Sequence, residues 1–176
     1  MLGRKDIMSN KKYDKIKNFS TTISVEKTIA EIEKMLSVYG ATRIMKEYDF
    51  EGNPNKLVFA IMTEHGEMPV KLPVNNDKII DIFKTQKALP SKFRNDHVFA
   101  KAQSARVGWR IIKDWLDAQL TLLNIEMVKV HEIFLPYAYD SRTDQTLFQK
   151  MEQQGFVGFI EEKKGDSPVC LERIEE

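Results

Sequence analysis

A row of side chains in the second half of the chain has the types and spacing to hold an anion. Arg106, Arg110 and Lys113 are four and three residues apart, Gln103 lies one turn earlier, and Lys101 adds charge at the same end. Residues three and four apart share a helix face, and a guanidinium meets a phosphate through parallel N–H donors. Such a row would grip the backbone of DNA or RNA rather than read its bases. Gly108, inside the row, would let a backbone or a ligand come close. The plainer alternative is a solvated face in which Asp114 and Asp117 serve as helical ion-pair partners of Arg110 and Lys113.

Other chemistry is sparse. His65, His97 and His131 lack the H-x-x-x-H spacing of a helical metal site. There is no Walker phosphate loop, no G-x-S-x-G and no H-x-E with P-C-x-x-C, so no catalytic residue, metal or cofactor is expected. An enzyme or a nucleotide-binding protein would need a cleft that gathers Arg106, Arg110 and His131 around a ligand. Tyr137 and Tyr139 could stack on bases, although capping a core is their more common use. Cys170 is the only cysteine, which excludes an internal disulfide and fits a reducing compartment.

The net charge of +1 carries no global polyanion-binding signature. The charge is uneven, however. Residues 1–17 read as a flexible basic arm with Arg4, Lys5, Lys11, Lys12, Lys15 and Lys17, and residues 161–176 as an acidic tail. No stretch is long and apolar enough to span a bilayer. The expectation is a soluble protein of the host-cell cytoplasm with no membrane partner.

The element that must position the row is a helix over residues 96–135. Ala102, Ala105, Trp109, Ile112, Leu116, Leu120, Leu123, Met127, Val130 and Phe134 form one apolar stripe, and Ile111, Trp115, Ala118, Leu122 and Ile125 a second beside it. Asn95 or Asp96 caps its start, and Pro136 ends it. Forty such residues would reach ~60 Å, longer than the ~40 Å globule expected of this chain. The helix must therefore break, most plausibly near Gly108, or pack its far end on another molecule. A homo-oligomer through the C-terminal half of the helix is the expectation, with Trp115, Leu122 and Ile125 as the protein interface.

Upstream, residues 18–87 read as a small α+β sheet domain. A strand over 18–23 precedes a helix over 25–39, capped by Ser24 and ended by Gly40. Strands follow at 41–49, 56–63 and 68–74. The last carries Pro69 and Pro73 and so belongs at an edge or leaves the sheet. Asn76 or Asp77 caps a short helix through Ile79, Ile80 and Phe83. Residues 88–160 hold the long helix, then a helix over 146–154 and a strand over 156–162, packed on or extending from the sheet domain. The predicted fold class is α+β: an antiparallel four-stranded sheet in β-α-β-β-β-α order with a long C-terminal amphipathic helix.

Three stretches together carry a resemblance: FSTTISVEKTIAEIEKMLSVYGA, EMPVKLPV and QSARVGWRIIKDWLDAQLTLLNIEMVKVHEIFLPY. The chain from Phe19 to Phe156 resembles a family of small, uncharacterised proteins encoded by phages and prophages. The characteristic match is Q-x-x-R-x-x-W-R at Gln103, Arg106, Trp109 and Arg110, with the Phe134-Leu-Pro136 helix end. The resemblance implies a viral or mobile-element setting and brings no reaction with it. The expectation is a non-enzymatic phage accessory protein that binds nucleic acid or a nucleoprotein complex. The rival is a protein-binding inhibitor of a host defence system.

Overall fold

Ser24 caps α1 (Val25–Val38) by accepting the Lys27 N–H on its hydroxyl. In this computed structural model, which describes residues 16–86 and 96–155, α1 is followed by β1 (Ala41–Tyr48), β2 (Pro54–Thr63) and β3 (Gly66–Lys71). Then come α2 (Asn76–Gln86), α3 (His97–Asn124), α4 (Val130–Phe134), the short strands β4 (Tyr139–Asp140) and β5 (Gln145–Thr146), and α5 (Leu147–Gln154). The basic arm up to residue 15, the strand expected over 156–162, the acidic tail and Cys170 lie outside the described residues.

Among the described residues the main sheet has three antiparallel strands in the order β1-β2-β3, not four, and β4-β5 forms a separate two-stranded ribbon. The segment expected as the first strand, 18–23, is a turn followed by backbone that belongs to no helix or strand. Its carbonyls at Phe19 and Thr21 accept from the Gln103 side chain, and Asn18 takes a positive φ of 63°. Its hydrogen bonds thus go to a helix instead of a ladder. Pro69 sits in β3, at the sheet edge, as its missing N–H requires. Just before the ribbon, an isolated backbone bridge joins Ala138 to Val70 of β3.

One core joins the layers. Ile29, Ile32 and Leu36 of α1 and Trp109, Ile112, Leu116 and Leu120 of α3 meet Leu57, Phe59, Ile61 and Val70 of the sheet. A smaller cluster, Ile79 and Phe83 with Ala100 and Val107, holds α2 against α3. The cap of α2 is Asn75, whose side chain accepts the Lys78 N–H, rather than Asn76 or Asp77.

The long helix differs from expectation at both points of interest. It runs unbroken through Gly108 and ends at Asn124. There the Glu126 N–H donates to the Leu123 carbonyl and the Met127 N–H to the Leu122 carbonyl, with Glu126 in the left-handed region at φ 57°. This is a Schellman closure made without glycine. The chain then turns back, and α4 brings Phe134 into the core edge-on to Phe59. The apolar rod is therefore covered largely by its own fold, leaving Ile125 and Met127 exposed at its end.

Candidate functional site

Part of the basic row holds α3 to its neighbours, and the rest pairs along the helix itself. Gln103 is buried; its Nε2 donates to the carbonyls of Phe19 and Thr21 at 2.9 Å each, and its Oε1 accepts from Arg106 Nη1 at 3.1 Å. Arg110 Nη1 donates to Glu31 Oε2 of α1 at 2.7 Å. Trp109, fully buried, donates its Nε1–H to the Pro54 carbonyl at 3.2 Å. Lys113 faces Asp117 at 3.7 Å, and Lys101 meets Glu51 at 2.7 Å and Asp49 at 3.7 Å. Asp114, expected to pair with Arg110, instead meets Lys17 at 2.9 Å and accepts from Asn18. The Q-x-x-R-x-x-W-R pattern thus fastens α3 to the segment before α1, to the start of β2 and to α1 itself.

The expected protein-interface residues are also dispersed. Trp115 is half-buried and packs edge-on against Phe134 and Tyr137, with ring centroids 6.0 and 5.3 Å apart. It closes the core instead of standing out as an anchor. Leu122 is half-buried and Ile125 exposed. His131 lines a separate cavity of about 740 Å³ with Tyr39, Met62 and Lys129. Neither Arg106 nor Arg110 lines that cavity, so the three do not form one cleft.

A second polar cluster ties the C-terminal ribbon to the sheet. Lys56 Nζ donates to Asp144 Oδ1 at 2.8 Å, to Glu47 Oε1 at 2.9 Å and to Tyr139 Oη at 2.9 Å. Tyr139 Oη donates in turn to Asp144 at 2.9 Å, and Lys71 adds a contact at 3.2 Å. Burial works against the Lys56 charge, but the bonds to Asp144, Tyr139 and Glu47 outweigh it and raise its pKa above the ordinary value. Lys56, Tyr139 and Lys71 hold the Asp144 carboxyl well below the usual carboxylate range. A lysine kept charged, with its three donors engaged, is a strut and not a nucleophile or base.

A further concave feature is a groove of about 520 Å³ between the β1–β2 turn and the first turns of α2 and α3. Such a volume suits ligand-sized or side-chain-sized occupants. Pro54, Ile80, Val98, Ala102 and Ala105 give it an apolar floor, and Asp49, Glu51, Asp77, Asn53, His97 and Lys101 give it polar walls. Lys101 is already neutralised by Glu51 and Asp49, so the groove is acidic.

The turn beside the groove is stiff. Asp49 Oδ1 accepts the N–H groups of Glu51 and Asn53 at 2.9 Å, Asp49 and Asn53 also pair through their backbones, and Gly52 takes φ 80°. The Asn53 N–H leads the contacts that lower the Asp49 pKa below its usual value. On this frame Phe50 is fully exposed and Tyr48 largely so. Both escaped the sequence reading. The available signal was a pair of aromatic residues two apart directly before the turn E-G-N-P.

No family model, curated protein or solved structure matches the chain. The chemistry must therefore be read from the side chains alone. Among the described residues no group of three or more His, Cys, Asp or Glu side chains could hold a metal ion, and no helix is long and apolar enough to cross a membrane. What the arrangement can do is present a rigid aromatic tip beside an acidic, part-apolar groove.

Proposed function

We propose that this protein is a non-catalytic accessory protein of a phage or mobile element that acts by gripping a protein partner. The tip carrying Phe50 and Tyr48 is the anchor, and the acidic groove behind it takes a basic, part-apolar segment of that partner. One observation carries the reading: a fully exposed phenylalanine held on a turn whose backbone is fixed by the Asp49 carboxylate. Aromatic side chains that lose little freedom on binding are the usual energetic centre of protein interfaces. The mobile-element setting rests on the resemblance of the α3 motif. Inhibition of a host defence protein is one form such an accessory role takes.

The nucleic-acid reading draws less support. Arg110, Lys101 and Lys113 all have carboxylate partners within the chain, so phosphate would have to displace them.

A photo-crosslinking amino acid placed at residue 50 tests the proposal in host-cell extract. Position 38 is the control, since Val38 is exposed but lies just before the opposite end of β1. A discrete protein adduct from position 50, absent from position 38, supports the reading. Equal smears from both positions, together with salt-sensitive binding of the pure protein to DNA or RNA, would replace it with the nucleic-acid reading.

A further inference from the structure

The outer edge of β1 is open, and its residues are arranged to pair with themselves. Among the described residues no strand lies beside it. Irregularities in register fall between Ala41 and Arg43 and between Glu47 and Tyr48, leaving a regular stretch of Arg43, Ile44, Met45, Lys46 and Glu47.

The backbone direction of this stretch follows from the next strand. The Leu57 carbonyl accepts from the Leu72 N–H, on the β3 side. In an antiparallel sheet each residue turns both its N–H and its C=O to one side, and the side alternates along the strand. Leu57 therefore faces away from β1, and Lys46, directly opposite it, turns its own N–H and C=O to the open edge. Ile44, two residues away, does the same. The open edge thus offers two residues with free pairing groups.

Side chains choose the register. Arg43, Met45 and Glu47 lie opposite Ala60, Val58 and Lys56, on one face of the sheet, and Ile44 and Lys46 lie on the other. A two-fold axis through Met45 would set Ile44 of one copy against Lys46 of the other, twice, so that every open backbone group finds a partner. It would also set Arg43 of each copy against Glu47 of the other, twice, and Met45 against Met45. Moving the axis to Lys46 would oppose lysine to lysine. Moving it to Ile44 would leave Arg43 facing Met45. Only the central register joins opposite charges with no like pair across it.

The existing partners extend the pattern. Arg43 already touches Glu67 at 3.3 Å, and Glu47 touches Lys56 at 2.9 Å, so charges alternate across the junction from one copy to the next. Lys46 reaches α1, where Glu33 engages it at 2.7 Å, which offsets it as a repulsive edge charge. Met45, 45% exposed, sits at the centre, where opposed side chains come closest.

We infer that two copies of this chain associate through antiparallel pairing of β1, making one six-stranded sheet with Met45 on its two-fold axis. This is an isologous interface, the kind that closes as a dimer. It leaves the Phe50 tip outside the paired stretch and does not depend on the function proposed above. It moves self-association from the C-terminal half of the long helix, where the sequence placed it, to a strand edge.

Sedimentation of the full chain over a range of concentrations tests it. The wild type is expected to reach a dimer. Arg43→Glu turns both cross-pairs into acid facing acid, and Glu47→Arg turns both into base facing base. Each alone should weaken dimerisation on the order of tenfold or more. Mixing the two variants should restore a dimer, because every pair is then opposite in charge, and so should both changes in one chain. Met45→Cys in a Cys170→Ser background should form a disulfide-linked dimer on mild oxidation. A wild-type monomer at the highest soluble concentration would overturn the inference. A dimer that is indifferent to both charge reversals, in variants whose circular dichroism is unchanged, would overturn it equally.

Discussion

Asn76 rests its side-chain oxygen against the bare Cα of Gly108, where a Cβ would stand only 2.8 Å from it. Ile79 Cδ1 crowds the same spot at 3.0 Å. The glycine that looked like a possible break in the long helix is in fact a place where α2 packs tightly against it. The contact has a cost, for the Asn76 oxygen is buried and has no hydrogen-bond partner among the described residues. Gly108→Ala gains about 1 kcal/mol of helix propensity and loses about 1–3 kcal/mol to overpacking. A net loss of about 1 kcal/mol is expected in urea unfolding. Asn76→Ala removes the nearer obstacle, so the same glycine change made in that background should be neutral or stabilising.

Arg110 belongs to the fold, and its replacement should be felt as instability. Its guanidinium and the Glu31 carboxylate are both partly shielded, at 21% and 34% side-chain exposure. Arg110→Ala should cost about 1–2 kcal/mol, some of it from lost packing of the long side chain. A double-mutant cycle with Glu31→Ala should give a coupling of about 0.5–1 kcal/mol. Additivity between the two changes would return Arg110 to the list of groups available to an external anion.

Much of this architecture was legible in the sequence, and the failures share a cause. Ser24 and Gly40 announce the ends of α1 through a local hydrogen bond and a positive φ, and the structure uses both. The three strands of the main sheet were equally plain. The end of α3 was hidden because its closing residue is Glu126, which adopts a conformation that usually calls for glycine. The segment at 18–23 alternates like a strand, but the groups that satisfy its carbonyls lie on Gln103, more than eighty residues away. The partners of the basic row were hidden for the same reason. Spacing shows which side chains share a helix face, but not that Glu31, Glu51 and the Phe19 carbonyl will be waiting opposite them.

The ribbon of β4 and β5 should loosen in acid before the core does. Lys150 and then Arg142 hold the Asp140 carboxyl far below its ordinary value, and Lys56, Tyr139 and Lys71 do the same for Asp144. An unfolded aspartate titrates near ~3.9. As the pH falls through that value the unfolded chain binds protons that the native ribbon still refuses, so stability declines. Above about pH 5 the contribution is complete. Asp144→Asn tolerates the positive φ of 53° at that position but abolishes the ion pairs. The gap in melting temperature between the variant and the wild type should therefore be widest near neutrality, begin to narrow below about pH 4 and close only as the pH nears the depressed native value. A gap that stays constant across this range would mean that the Asp144 charge contributes nothing to the fold.

Phe50 separates a binding role from a structural one more sharply than any other position. Its ring is fully exposed, so burial in the free protein cannot be what it supplies. The turn around it is held by Asp49, Asn53 and Gly52, none of which needs the ring. Phe50→Ser should accordingly change stability by no more than about 0.5 kcal/mol and improve solubility by removing exposed apolar surface. If the tip anchors a partner, the same change should weaken that complex by about 2 kcal/mol or more, as loss of a central aromatic does. Asp49→Ala is the contrasting variant: it leaves the ring in place but frees the turn. It should weaken the complex through lost preorganisation while lowering the melting temperature only slightly. Calorimetry on the partner recovered by cross-linking would read both. Unimpaired binding by Phe50→Ser would leave the exposed ring without a purpose in recognition and remove the anchor from the proposed interface.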